Sequence, residues 1–95
     1  MGVQELIKSN KVVVFENSWC PYCRQAKEAL KSKGIDHKVV EVDAALKREL
    51  VALTGQTSVP QVFVKETFVG GANDGGIGGT LPLLKNGTIQ KMLAA

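Results

Sequence analysis

Cysteine is scarce in this 95-residue chain, which has two, and histidine is scarcer, with one. Two cysteines cannot build the disulfide framework of a small secreted domain. Joined by the single His37, they still fall short of the roughly four ligands of a closed zinc site. Positive charge is present but thinly spread: 12 Lys and Arg against 9 Asp and Glu leave a net +3 without a dense basic stripe. That excludes a nucleic-acid footprint, yet it suits an anionic small-molecule partner. Long apolar runs are missing too, and Met1 to Asn10 show no apolar region behind a basic one. The expectation is therefore no secretory signal, no membrane span, and a cytoplasmic, thiol-reducing setting. With 44% hydrophobic and 22% charged residues, the chain reads as one soluble domain over residues 1–95. A domain this small buries only roughly two-thirds of its unfolded surface, enough for one sheet and a few helices.

What is there centres on Ser18 to Arg24, Ser-Trp-Cys-Pro-Tyr-Cys-Arg, which holds both cysteines. A buried strand candidate precedes it and a helix candidate begins near Pro21. With Cys20 at the N-cap and Pro21 at the first helical position, the Cys20 sulfur lies against unpaired backbone N–H groups that favour a thiolate. Cys23, one turn on, shares that face and sits deeper. The pair reads as an attacking thiol and a resolving thiol.

Hydrophobic spacing supplies the other elements. Val3, Leu6 and Ile7 predict a short amphipathic helix ending near Asn10, and Lys11 to Glu16 an apolar strand covered on both faces. Pro21 to about Lys33 is a helix stopped by Gly34. Ile35 to Asp43 is a strand nearer the sheet edge, completing a right-handed βαβ unit. A helix follows over Ala44 to Leu53, then a turn over Gln56 to Pro60. Gln61–Val64 and Thr67–Val69 form a hairpin through Lys65 and Glu66. Six of the ten residues from Gly70 to Gly79 are glycine, and since glycine weakens helices a mobile loop is expected there. Thr80 is expected to cap a helix ending at Asn86 and Gly87, and Ile89–Leu93 to add a last helical piece. Phe15, Phe63 and Phe68 are assigned to the core, and His37 to the solvent side. Trp19 fits either a recognition surface or a packing anchor.

Cys-Pro-Tyr-Cys after a buried strand, Val59-Pro60 before a hairpin and Gly70-Gly71 after it, in that order and at those distances, resemble a dithiol glutaredoxin from Val12 to about Leu93. The resemblance implies an α/β, thioredoxin-like fold: a four-stranded mixed sheet flanked by helices, its first two strands parallel, with a cis peptide before Pro60. It implies a glutathione-dependent thiol–disulfide oxidoreductase that reduces protein disulfides and glutathione mixed disulfides. Cys20 matches the nucleophile and Cys23 the resolving cysteine. For the glutathione groove it implies Tyr22 at the border, the Val59 backbone on the cysteinyl moiety, and Asn73 and Asp74 at the γ-glutamyl end, with Ser58, Pro60 and Gly71 also among the glutathione-binding residues. Lys47 matches the partner of the glycyl carboxylate; Lys47 and Arg48 read equally as a solvated helix face.

Four departures from the pattern stand out. Asn17 and Thr57 occupy positions where the family often has a cation, Ala72 replaces a common third cysteine, and residues 75–79 lengthen the segment after Asp74. The implied co-substrate is glutathione or a related low-molecular-weight thiol, the implied partners are disulfide-containing proteins, and a monomer is expected. No cofactor is tightly bound on this reading. The alternative is a dimeric carrier of a [2Fe–2S] cluster, held by Cys20 of each chain and two glutathione thiols; Pro21 argues mildly against it. A thioredoxin-type donor independent of glutathione is disfavoured by Cys-Pro-Tyr-Cys and by Asn73-Asp74.

Overall fold

The computed structural model describes residues 2–95. Nine elements follow in order: α1 (Val3–Ser9), β1 (Val12–Glu16), α2 (Pro21–Ser32), β2 (Lys38–Glu41), α3 (Ala44–Thr54), β3 (Gln61–Val64), β4 (Thr67–Gly70), α4 (Thr80–Lys85) and α5 (Thr88–Ala94). The four strands form one sheet in the order β2-β1-β3-β4. β1 runs parallel to β2 and antiparallel to β3, which in turn pairs antiparallel with β4. This is the four-stranded mixed sheet flanked by helices that the resemblance implies.

β1 explains the layering. Every residue of it is buried, and because strand side chains alternate, each face receives a different set. Val12 and Val14 join Leu30 of α2, Leu83 and Leu84 of α4, and Ile89 of α5 on one side. Val13 and Phe15 join Leu6 and Ile7 of α1 and Leu50 of α3 on the other. Phe15 meets Phe63 edge-on at 5.8 Å between ring centroids. A fully buried side chain such as Leu30 contributes roughly 1.5–3 kcal/mol, so the unalternating Val-Val-Val-Phe run binds two helical layers to one sheet.

The helix ends are chemically specified. Gly34, at φ 70°, follows the last turn of α2, and the Ile35 N–H reaches back to the Leu30 carbonyl at 3.0 Å. Asp43 caps α3 by accepting from the Leu46 N–H at 2.8 Å. Lys65 and Glu66 join β3 to β4 with φ of 48° and 70°, the backbone of a two-residue turn whose twist matches a hairpin.

Four expectations need correction. The second strand is shorter than Ile35 to Asp43: β2 pairs only over Lys38–Glu41, the stretch that β1 can reach, while Ile35 packs from the loop against the α2-side core. His37 is half-buried, its Nδ1 2.9 Å from the Ile35 carbonyl oxygen. Thr80 does not cap α4; Gly79 holds the N-cap position and Thr80 is a fully buried first residue of the helix. Residues 70–79 are a tight coil, not slack. The Gly71 N–H donates to the Asp74 carbonyl at 2.8 Å, the Gly79 N–H to Val69 at 2.9 Å, and the Thr80 N–H to Gly71 at 2.8 Å.

Candidate active site

The strand-to-helix junction places the two sulfurs. Cys20 is the N-cap of α2 with extended backbone, φ −86° and ψ 117°, and Pro21 follows at the first helical position. Proline has no N–H to waste there, so the first donor turned back on the cap is that of Cys23, which reaches the Cys20 Sγ at 3.2 Å. Cys20 is half-buried, whereas Cys23 is buried at 1% exposure. Both are free thiols. Burial pushes the Cys23 thiol from an ordinary 9.0 up to about 12; its hydrogen bond to Cys20 and the charges of Cys20 and Glu16 act in the same direction, against the lowering effect of the Asn17 backbone. At neutral pH Cys23 therefore keeps its proton, and Cys20 is the sulfur that faces outward.

The turn before β3 forms the opposite wall. The Val59-Pro60 peptide is cis, and the Val59 carbonyl oxygen lies 3.8 Å from the Cys20 Sγ. Val59 is shared by two hollows. One, of about 440 Å³, is lined by Tyr22, Ser58, Val59, Pro60, Gly71, Asn73 and Asp74, together with Gln56 and Ala72. The other, of about 180 Å³, is lined by Lys47 with Asn17, Asp43, Thr57 and Val59, among others. Every residue expected in a tripeptide groove thus borders one hollow or the other, and Val59, which lines both, lies next to the Cys20 sulfur. Lys47, Asn73 and Asp74 are exposed, so charge is offered at both ends. Trp19, 77% exposed, flanks the sulfur as open surface, so the packing-anchor reading fails.

Three residues of the site escape a reading by spacing alone. Gln61 is a buried amide in an otherwise apolar strand: its Nε2 donates to the Gln56 carbonyl at 2.9 Å and to the Ser58 carbonyl at 3.1 Å, while its Oε1 accepts from the Thr54 hydroxyl at 2.9 Å. It ties the turn that presents Val59. The signal was a glutamine opening Gln-Val-Phe-Val. Gln56 lines the larger hollow beside Gly75. Glu16 is a buried carboxylate at the end of β1, paired with Lys27 of α2. Among the described residues no three His, Cys, Asp or Glu side chains converge as metal ligands.

Comparison with known proteins agrees with this geometry. The Glutaredoxin family model matches residues 12–69. The chain is 37% identical to Glutaredoxin-1 of Rhizophagus irregularis, the match covering 98% of this chain and 92% of that one. Among solved structures, oxidized glutaredoxin 2 from Chlamydomonas reinhardtii superposes with a TM-score of 0.80 at 37% identity, covering 97% of this chain and 87% of the other. A buckwheat glutaredoxin–glutathione complex superposes at 0.81 with 29% identity, covering 96% and 83%. Fold, cysteine pair and relatives converge: this chain belongs to the glutaredoxin family of thiol–disulfide oxidoreductases.

Proposed function

We propose that the chain is a glutathione-dependent dithiol oxidoreductase acting on protein disulfides and glutathione mixed disulfides. The observation that carries this reading is the position of Val59, whose carbonyl lies beside the Cys20 sulfur and which lines both the hollow with a cation and the one with Asn73 and Asp74. Glutathione offers a carboxylate at one end, an ammonium group at the other and a thiol between. Lys47 suits the glycyl carboxylate, Asp74 the γ-glutamyl ammonium, and the Val59 backbone the cysteinyl moiety. The buckwheat relative in complex with glutathione supports the same choice of thiol.

In this mechanism the Cys20 thiolate attacks a substrate disulfide, and one sulfur leaves as a thiolate while the other stays bonded to Cys20. Cys23 or a glutathione thiolate then attacks the Cys20 sulfur and releases the second half. The substrate disulfide gains two electrons, and the dithiol or a glutathione pair loses them. Turnover needs a pool of reduced thiol, so a cytoplasmic, reducing setting belongs to the same proposal.

The [2Fe–2S] carrier reading is less favoured, because Pro21 stiffens the loop that would face the cluster. Anaerobic reconstitution with iron, sulfide and glutathione, followed by a visible spectrum, tests it. The oxidoreductase reading is tested by coupling turnover of a small glutathione mixed disulfide to glutathione and glutathione reductase. Cys20→Ser is expected to abolish activity, while Cys23→Ser retains turnover of glutathione mixed disulfides through external glutathione. Residual activity in Cys20→Ser would refute the assignment.

A further inference from the structure

Resolution by Cys23 requires a thiol at 1% exposure to lose its proton. In the reduced protein its hydrogen bond runs to the Cys20 sulfur, but once Cys20 is tied into a mixed disulfide that acceptor has lost its charge. Glu16 lies behind the pair. It is the last residue of β1 and 7% exposed. By strand alternation it shares the sheet face of Val12 and Val14, the face that α2 covers. Lys27, one turn beyond Cys23 on α2, pairs with the Glu16 Oε1. Residues four apart share a helix face, so the carboxylate that Lys27 holds faces the stripe of α2 that also carries Cys23. The Lys27 side chain is 31% exposed against 9% for Glu16; the pair therefore leads from the buried sulfur to water. A buried charge costs stability unless paired, and the other residues of β1 are all apolar.

We propose that Glu16 accepts the Cys23 proton when the mixed disulfide is resolved, with Lys27 holding the carboxylate in place and open to solvent. This rests on the dithiol mechanism above. The Cys23 S–H bond breaks and the proton passes to Glu16. The resulting thiolate attacks the Cys20 Sγ, the Cys20–Cys23 bond forms, and the bond from Cys20 to the substrate sulfur breaks. The substrate leaves as a thiolate carrying the electron pair, and Glu16 returns its proton to water past Lys27. The other charged group beside Glu16 is its register partner Glu41 on β2, which is exposed and accepts from the Ser18 N–H at 3.4 Å.

The test mixes reduced protein rapidly with a symmetrical aromatic disulfide whose thiolate absorbs visible light. Attack by Cys20 releases the first thiolate and resolution by Cys23 the second, so the ratio of the two rates isolates the second step from any general loss of fold or of Cys20 reactivity. Glu16→Gln is expected to lower that ratio roughly hundredfold, the low end of the effect of a positioned proton acceptor, and Glu16→Asp to restore part of it. Lys27→Met is expected to move the low-pH limb of the second phase to higher pH, because a carboxylate deprived of its cation holds a proton more readily.

A purely repelling charge predicts the opposite sign: removing it would favour the Cys23 thiolate and speed resolution. A second phase unchanged or faster in Glu16→Gln overturns the proposal. Should that variant fail to fold, an unmoved limb in Lys27→Met overturns it instead. Absence of any second phase in the unaltered protein would refute the dithiol mechanism itself, a result that needs no variant.

Discussion

At the junction of β1 and α2 the reactive groups are held by a regular helix start, whereas between β4 and α4 Asn73 and Asp74 are held by backbone packed on backbone. The first uses chemistry visible in a few adjacent residues: a sulfur at the cap, a proline behind it, and the Cys23 N–H 3.2 Å from that sulfur. The second uses the absence of side chains. A methyl group at Gly79 would fall 2.5 Å from the Asn73 carbonyl carbon and the Asp74 nitrogen, and one at Gly70 would fall 2.5 Å from the Gly75 oxygen. Both regions border the same hollow, Tyr22 from the first and Asn73 and Asp74 from the second, but one tolerates change along its exposed face and the other tolerates almost none.

Substituting the glycines tests that contrast most severely. Gly70→Ala combines φ +124° with backbone collisions and is expected to cost about 3 kcal/mol or more in denaturant unfolding, with glutathione-dependent turnover falling in parallel. Gly34→Ala has φ +70° but no neighbour within 4 Å, so only the left-handed strain of about 1 kcal/mol remains. Equal losses at the two positions would mean that the coil is not clamped as described.

The ends of the groove give a smaller effect. Asp74→Asn is expected to raise KM for a glutathione mixed disulfide about tenfold with kcat little changed, since it removes one charge-assisted contact. Lys47→Met is expected to raise it only about two- to fivefold, and the difference should fade in high salt, because Lys47 is exposed. Should Lys47→Met prove the more damaging, the order assigned to the two ends would be reversed.

The buried thiol gives the mildest effect at working pH and a clear one in alkali. The folded state holds the Cys23 proton up to about pH 12 against an ordinary 9.0, so the unfolded chain binds fewer protons between those values. This contribution is intact below about pH 9 and is lost as pH rises toward 12. Reduced protein should lose stability across that window in thermal melts, and Cys23→Ser should flatten the decline. Over the same range Cys20 should be alkylated before Cys23.

Much of the architecture was legible because local signals and packing agreed. Val12 to Phe15 could satisfy no environment except one buried on both sides, and Gly34 marked a helix end that the structure shows at φ 70°. The candidate groove residues were reached through the resemblance, and the structure brings them together around Val59. The failures share a cause. The coil over residues 70–79 looked slack because glycine weakens local structure, but its order comes from contacts between Val69–Gly71 and Asn73–Thr80. Thr80 looked like a cap because its hydroxyl suits one, yet burial in the core left that position to Gly79.

By itself the sequence determined how the two sulfurs sit: cysteine at a helix entrance with proline next to it turns one sulfur outward and the other inward through bonds within four residues. It determined the sheet's central strand for a similar reason, since an unbroken apolar run must be covered twice. Only the tertiary structure decided how three distant turns converge on Val59, how far Cys23 is removed from water, and that a carboxylate stands behind it. Those outcomes depend on strand order and on which face of α2 meets β1, relations between residues that are neighbours only after folding.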